Sequence, residues 1–285
     1  MNRVLREIED IRVDRVHGAS ELALKALQVL SLAALGSKAR TAGEFGEEIS
    51  FYAHRLQSVK PAMVAIANCV RCFEKHMKKT LAHCCDIEEA RSGVLTAVER
   101  VTDAVVSARF RSIAHAAELI GNGAAVMTCS FSSTVIETFK RAKEQGKVFK
   151  VFCLESSCGN YKYGELVAAR LEQSGTAVEV MPDREIDDML TGIDMVLIGS
   201  DVILLDGSVV NGYPSLSVAR AAARAPFPVP VYCIGDWTKL HPSSQPPVYD
   251  PGLDLIPSDF ILGIVTENGI VAPSGLSIYL HDLSC

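Results

Sequence analysis

The sequence predicts an α/β protein. An N-terminal helical domain, residues 1–122, precedes a doubly wound, mainly parallel Rossmann-like sheet domain, residues 123–285. Three observations predict this. Nearly every segment before residue 122 has helical composition. After residue 123, short apolar runs alternate with helical ones. The apolar runs are nearly continuous, as in strands of a parallel sheet covered on both faces.

The elements follow in order. "ASELALKALQVLSLAALG" (19–36) is rich in Ala and Leu, the best helix formers, and Gly36 marks its end. "TAGE" (41–44) has capping-box spacing ahead of "FGEEISFYAHRLQSV". Residues 62–79 and 86–120 continue as helix until Gly121-Asn122-Gly123 terminates them. Strand-like runs then stand at 124–128, 150–155, 177–182, 195–201 and 230–235. Helical runs stand between them at 133–146, 164–175, 183–190 and 214–225. "HPSSQPPVYDPG" (241–252) reads as a Pro-rich surface loop, and no repeat at a solenoid period occurs.

Composition narrows the class. With 285 residues, 48 % of them hydrophobic, the chain buries a sizeable core. A net charge of −6 argues against a protein that coats nucleic acid. The start, "NRVLREIEDIR", is charged, and the apolar runs read as too short for a membrane span. Nine scattered cysteines without a secretory signal read as reduced thiols, so the expected location is cytoplasmic. "NCVRC" (68–72) and "HCC" (83–85) have sulfur enough for zinc. Cys69 and Cys72 nevertheless lie in a helical pattern with no second pair at ribbon spacing, so they read as packing residues and no metal is expected. No G-x-G-x-x-G follows the first strand, which argues against a dinucleotide cofactor, and none is expected.

The chemistry concentrates at strand ends, where ligands of open α/β sheets bind. "TCSFSST" (128–134) follows the first strand. Thr128, Ser132 and Ser133 there suit a phosphate held by hydroxyls and helix N-terminal amides, or simple capping of the helix. Asp201 ends the run "VLIGSD", where partial desolvation suits a carboxylate to proton transfer. Cys129 and Ser130 end the first strand and face the same rim in a parallel sheet.

These residues carry a resemblance. "GSDVILLDGSVVNGYPS" (199–215) resembles the G-A-D-x-I-x-x-(N/D)-G-x-V-x-N-K-x-G-T hallmark of one superfamily. Its members are methylthioribose-1-phosphate isomerase, ribose-1,5-bisphosphate isomerase and the alpha, beta and delta subunits of initiation factor 2B. Asp201, Ile203, Gly207, Val209 and Asn211 fall in register. "VMTCSFSSTVIETF" (126–139) and "DLIPSDFILGIVTENGIVAPS" (254–274) are similar to further family segments. So are "VHGASELALKAL" (16–27) and "VKPAMVAIANCVR" (59–71) in the N-terminal half.

The resemblance implies that Asp201 and a cysteine after the first strand are catalytic. It also implies that Asn211, His17, Gly18 and Lys60 contact a phosphorylated substrate. One register places Ser130 at the catalytic cysteine; a shift of one residue places Cys129 there. Asn-Lys has become Asn211-Gly212, and His17 and Lys60 stand for arginines. Two functions follow as expectations. One is a regulatory or ligand-sensing protein of translation initiation, of the initiation factor 2B type, that binds a sugar or nucleotide phosphate. The other is an aldose-1-phosphate to ketose-1-phosphate isomerase. A hydroxyl at position 130 is a poorer proton donor than a thiol and favours the first. The implied partners are a homodimer or larger assembly through the α/β domain and other subunits of that type, with no membrane and no direct nucleic acid.

Overall fold

The computed structural model describes residues 3–159, 161–248 and 250–276. The chain divides between Ser107 and Ala108 into two compact units. The first is helical: α1 (Arg3–Val13), α2 (Ala19–Gly36), α3 (Ala42–Gln57), α4 (Val64–Leu81) and the first part of α5 (Ile87–Leu119). Thr41 caps α3 as its spacing predicts, its side chain accepting from the Glu44 N–H at 3.2 Å. Helix α2 packs against α1, α3 and α4. Among the described residues it alone is long and apolar enough to cross a membrane, but 56 % of it is buried inside the protein, as befits a central packing helix. Cys69 and Cys72 point into this core from α4.

The second unit contains β1 (Ala125–Thr128), α6 (Ser133–Glu144), β2 (Lys150–Leu154), β3 (Ser157–Cys158), β4 (Tyr161–Lys162), α7 (Tyr163–Glu172), β5 (Ala177–Met181), α8 (Ile186–Met189), β6 (Met195–Ile198), β7 (Val202–Leu204), β8 (Val209–Gly212), α9 (Ser215–Arg224), β9 (Val231–Ile234), β10 (Leu240–His241), β11 (Leu253–Ile256), β12 (Gly263–Thr266) and β13 (Gly269–Val271). The main sheet runs β13-β12-β9-β6-β1-β2-β5, parallel except for the antiparallel edge strand β13. A smaller sheet, β10-β7-β8-β11, is built from the hallmark segment and the short strands that flank the Pro-rich stretch.

Strand parity explains the near-continuous apolar runs. On β6, Met195 and Leu197 join the core on the α6 side, while Val196 and Ile198 join the core on the α9 side. On β1, Val126 faces the first core and Met127 the second. Each such buried aliphatic side chain contributes about 1.5–3 kcal/mol. The compositional change near residue 122 marks where α5 ends. The compact unit begins earlier, because Ala116, Ala117 and Ile120 bury themselves in the α6-side core.

Candidate functional site

The order of the parallel strands reverses between β1 and β6. The connection from β1 leads to β2 on one side, and β6 lies on the other. The turns after these two strands therefore flank the crevice where open α/β sheets hold ligands. After β1 stand Cys129, Ser130, Phe131 and Ser132; after β6 stand Gly199, Ser200 and Asp201. The Asp201 N–H donates to the Val210 carbonyl at 2.8 Å, so the acid that ends β6 is stapled beside Asn211 on β8.

Cys129 continues the parity of β1. It follows Met127 into the α9-side core and is 1 % exposed. There its sulfur lies 3.4 Å from Ser215 Oγ at the first turn of α9. The Ser215 hydroxyl donates to the Gly212 carbonyl at 2.6 Å, and the Asn211 Nδ2 donates to Ser215 Oγ at 2.7 Å. With its one proton committed to Gly212, Ser215 can only accept from sulfur, so the Cys129 S–H is the donor. Burial pushes the Cys129 thiol up to about 12 against the opposing effect of the Ser215 hydrogen bond, and the nearby carboxylates of Asp254 and Asp183 add to the rise. It is a neutral, inward-facing donor.

Ser130 turns the chain out of the strand at φ 60, a left-handed conformation uncommon for a residue with a side chain. Its N–H donates to Ser156 Oγ at 2.7 Å, and Ser156 Oγ donates to the Leu154 carbonyl at 3.2 Å. Asp183 in turn accepts from the N–H groups of Ser156 and Ser157 at 2.8 and 3.0 Å. Two residues on, Ser132 caps α6, accepting from the Val135 N–H at 3.4 Å. Close approach sets the rest. A Cβ on Gly199 would stand 2.5 Å from Ser132 Oγ, and one on Gly212 would stand 2.0 Å from Ser130 Oγ. Thr128 and Ser133 are buried, at the last position of β1 and the first of α6.

In the helical unit His17, Gly18 and Lys60 gather around Asp14. The His17 Nδ1 lies 2.7 Å and the Lys25 Nζ 3.2 Å from Asp14 Oδ2. The Lys60 Nζ donates to the Asp14 carbonyl at 2.6 Å. Gly18 caps α2, its N–H donating to Glu21 Oε2 at 3.4 Å. Burial opposes ionisation of Asp14. The N–H groups of His17 and Val16, the His17 ring and Lys25 outweigh it and hold the carboxyl well below the usual carboxylate range. A cavity of about 450 Å³ lies alongside, lined by Arg3, Asp10, Asp14, Lys25 and Gln28 among others.

Sequence reading passed over several participants. Ser215 had a signal, a hydroxyl four residues after Asn211 within the hallmark. Asp254 had none: it lies opposite Asn211 only because β11 pairs with β8, and it accepts from the Leu216 N–H of α9 at 3.0 Å. Ser156 and Asp183 likewise reach Ser130 only through the neighbouring β2 loop. Lys239 is 5 % exposed beyond the end of β9, its Cγ beside Gly235, against which Ser200 also packs. Among the described residues no cluster of three or more metal-binding side chains occurs.

The sequence profile of the initiation factor 2 subunit family matches residues 15–247. A translation initiation factor eIF-2B subunit 2-like protein of Pyrococcus abyssi is 31 % identical over 289 residues, which cover 95 % of this chain and 97 % of that one. A ribose 1,5-bisphosphate isomerase of Haloferax volcanii is 25 % identical over 98 % of this chain and 92 % of its own. The solved structure of translation initiation factor eIF-2B from Pyrococcus horikoshii matches with a TM-score of 0.81 at 26 % identity, covering 96 % of this chain and 98 % of that one.

Proposed function

The chain belongs to the initiation factor 2 subunit family, and from that premise we propose that it is a regulatory, ligand-sensing member that binds a phosphorylated sugar or nucleotide without converting it. One observation carries this reading. The residue on the strained turn after β1 is a serine, while the adjacent thiol of Cys129 is buried with its proton committed to Ser215. An aldose–ketose isomerisation needs a group that exchanges a proton with carbon, and a serine hydroxyl is poorly suited to that task. Binding needs less. Ser132, Ser133 and the first amides of α6 suit a phosphate. In the helical unit, His17 and Lys60 are the cations proposed to take part in phosphate binding.

A second reading is an isomerase, favoured by Asp201 at the strand-order reversal and by the relatives named ribose 1,5-bisphosphate isomerase. In it Asp201 moves hydroxyl protons and Asn211 orients the sugar. One experiment separates the two. A thermal-shift screen of sugar and nucleotide phosphates identifies ligands, since binding to the folded state raises Tm. Each ligand is then followed by NMR in deuterated water for exchange at C2, with a product assay for direct hydrogen transfer. The regulatory reading expects no exchange and no product. Turnover that falls about 100-fold or more in Asp201→Asn, with little change in affinity, establishes the isomerase instead.

A further inference from the structure

Among the described residues, two that carry a side chain stand at positive φ: Ser130 at 60 and Ser156 at 51. Such a conformation is unfavourable for a residue with a Cβ and persists only where its neighbours impose it. These two impose it on each other's side of one bond. The Ser130 N–H donates to Ser156 Oγ at 2.7 Å, and both residues are buried. Ser156 Oγ commits its own proton to the Leu154 carbonyl at 3.2 Å, so toward Ser130 it acts only as an acceptor. The other side of the turn meets bare backbone, Gly212 against Ser130 and Gly199 against Ser132.

Ser156 is held in turn from the end of β5. There Asp183 takes the Ser156 N–H on Oδ1 at 2.8 Å and the Ser157 N–H on Oδ2 at 3.0 Å. The preceding residue is tied to the same place, the Glu155 N–H donating to the Met181 carbonyl at 2.8 Å. Both Asp183 oxygens thus serve backbone, while Arg184 beside it turns to Glu185. The charge of Asp183 reaches the crevice, where it adds to the rise that burial imposes on the Cys129 and Cys153 thiols. By its field alone this acid opposes an anionic ligand. What it adds to a phosphate site is geometry. Two residues after Ser130 stand Ser132, which caps α6, and Ser133, its first residue, so a rotation at Ser130 displaces both.

We propose that Ser156, anchored by Asp183, is a positioning residue for the phosphate: it holds Ser130 in the left-handed turn that presents Ser132, Ser133 and the first amides of α6. This rests on the reading of that turn as a phosphate site, and it adds what keeps the site in shape.

Calorimetry on the full chain, with ribose 1-phosphate and AMP as probes, tests it. Ser156→Ala keeps every charge and should weaken whichever probe the parent binds by about tenfold, the size of one hydrogen bond. In a Ser130→Gly background, where a left-handed turn is readily populated, the same change should weaken binding by less than about threefold. Asp183→Ala tests the sign. If the acid acted only through its field, removing it would tighten binding of an anion. Acting through the turn, its removal should weaken binding by about tenfold or more. Unchanged affinity in Ser156→Ala, an equal loss in both backgrounds, or tighter binding in Asp183→Ala overturns the positioning role and leaves the phosphate site standing. A folded parent that binds neither probe fails differently, since it removes the phosphate site and the positioning role together. Asp183 is only half-buried, so its variant decides alone if Ser156→Ala does not fold.

Discussion

Two polar clusters, one in each compact unit, solve the same problem by opposite means. In the α/β unit Cys129, Ser215 and Asn211 form a neutral cluster inside the protein, all three between 0 and 3 % exposed. Each donor there has one acceptor, and the positions are set by strand parity and by glycines that admit a neighbouring hydroxyl. In the helical unit the Asp14 cluster is ionic and half-exposed, with His17 and Lys25 side chains each 40 % accessible. Its geometry depends on charge, and so on pH and salt. A neutral buried network gives a fixed shape that solvent conditions barely touch, because leaving any donor unpaired is costly. An exposed ionic cluster gives a charge that solvent conditions tune.

The largest expected effect that would break this contrast is in thiol reactivity. The thiolate is the nucleophile, and Cys129 is held up to about 12. Cys85, in the turn between α4 and α5, is exposed. Alkylation at pH 8, followed residue by residue by mass spectrometry, should label Cys85 faster than Cys129 by about a thousandfold or more. Comparable rates would mean that Cys129 is open to the crevice.

Next in size is the loss of Ser215. Ser215→Ala removes the acceptor shared by Asn211 Nδ2 and the Cys129 thiol, leaving two buried donors unpaired. Denaturant unfolding should show a loss of about 2–4 kcal/mol, unchanged between low and high salt. A loss below 1 kcal/mol would show that the network is slack.

The smallest effect sharpens the other side. The folded-state pKa of Asp14 is depressed, so its ionisation stabilises above the unfolded carboxylate value near 4. That contribution is lost as pH falls toward the folded value. Asp14→Asn should therefore cost about 1–2 kcal/mol at pH 7, less in 0.5 M salt, with parent and variant converging as pH falls through and below about 4. A cost independent of both pH and salt would place Asp14 with the neutral class, through its backbone-capping bonds alone.

Much of the molecule was legible in the sequence because its cues are local. Thr41 before a helical run, glycines after helices and apolar strands between them each act within a few residues, and α3, α6 and the parallel strands stand where those cues place them. Asp201 and Asn211 were legible as a pair only through the family resemblance; in the structure the Asp201–Val210 bond sets them side by side. The small sheet was not legible. Its strands β10 and β11 are short, lie either side of a Pro-rich stretch and exist through pairing with β7 and β8.

The sequence by itself determined which chemistry is present: a serine and a cysteine after the first strand, an acid after the fourth long one, an asparagine beyond it, and few cations nearby. It left two registers open for the residue that replaces the family's cysteine. Only the tertiary structure showed where each side chain goes. Strand parity, a two-residue period carried past the end of β1, sends Cys129 into the core on the α9 side. The bond from Ser156, more than twenty residues away, holds Ser130 in the left-handed turn that lays its hydroxyl on Gly212. Parity is written locally, but the face that becomes core and the neighbour that holds a turn depend on strand order. Strand order is set by contacts between residues far apart in the chain.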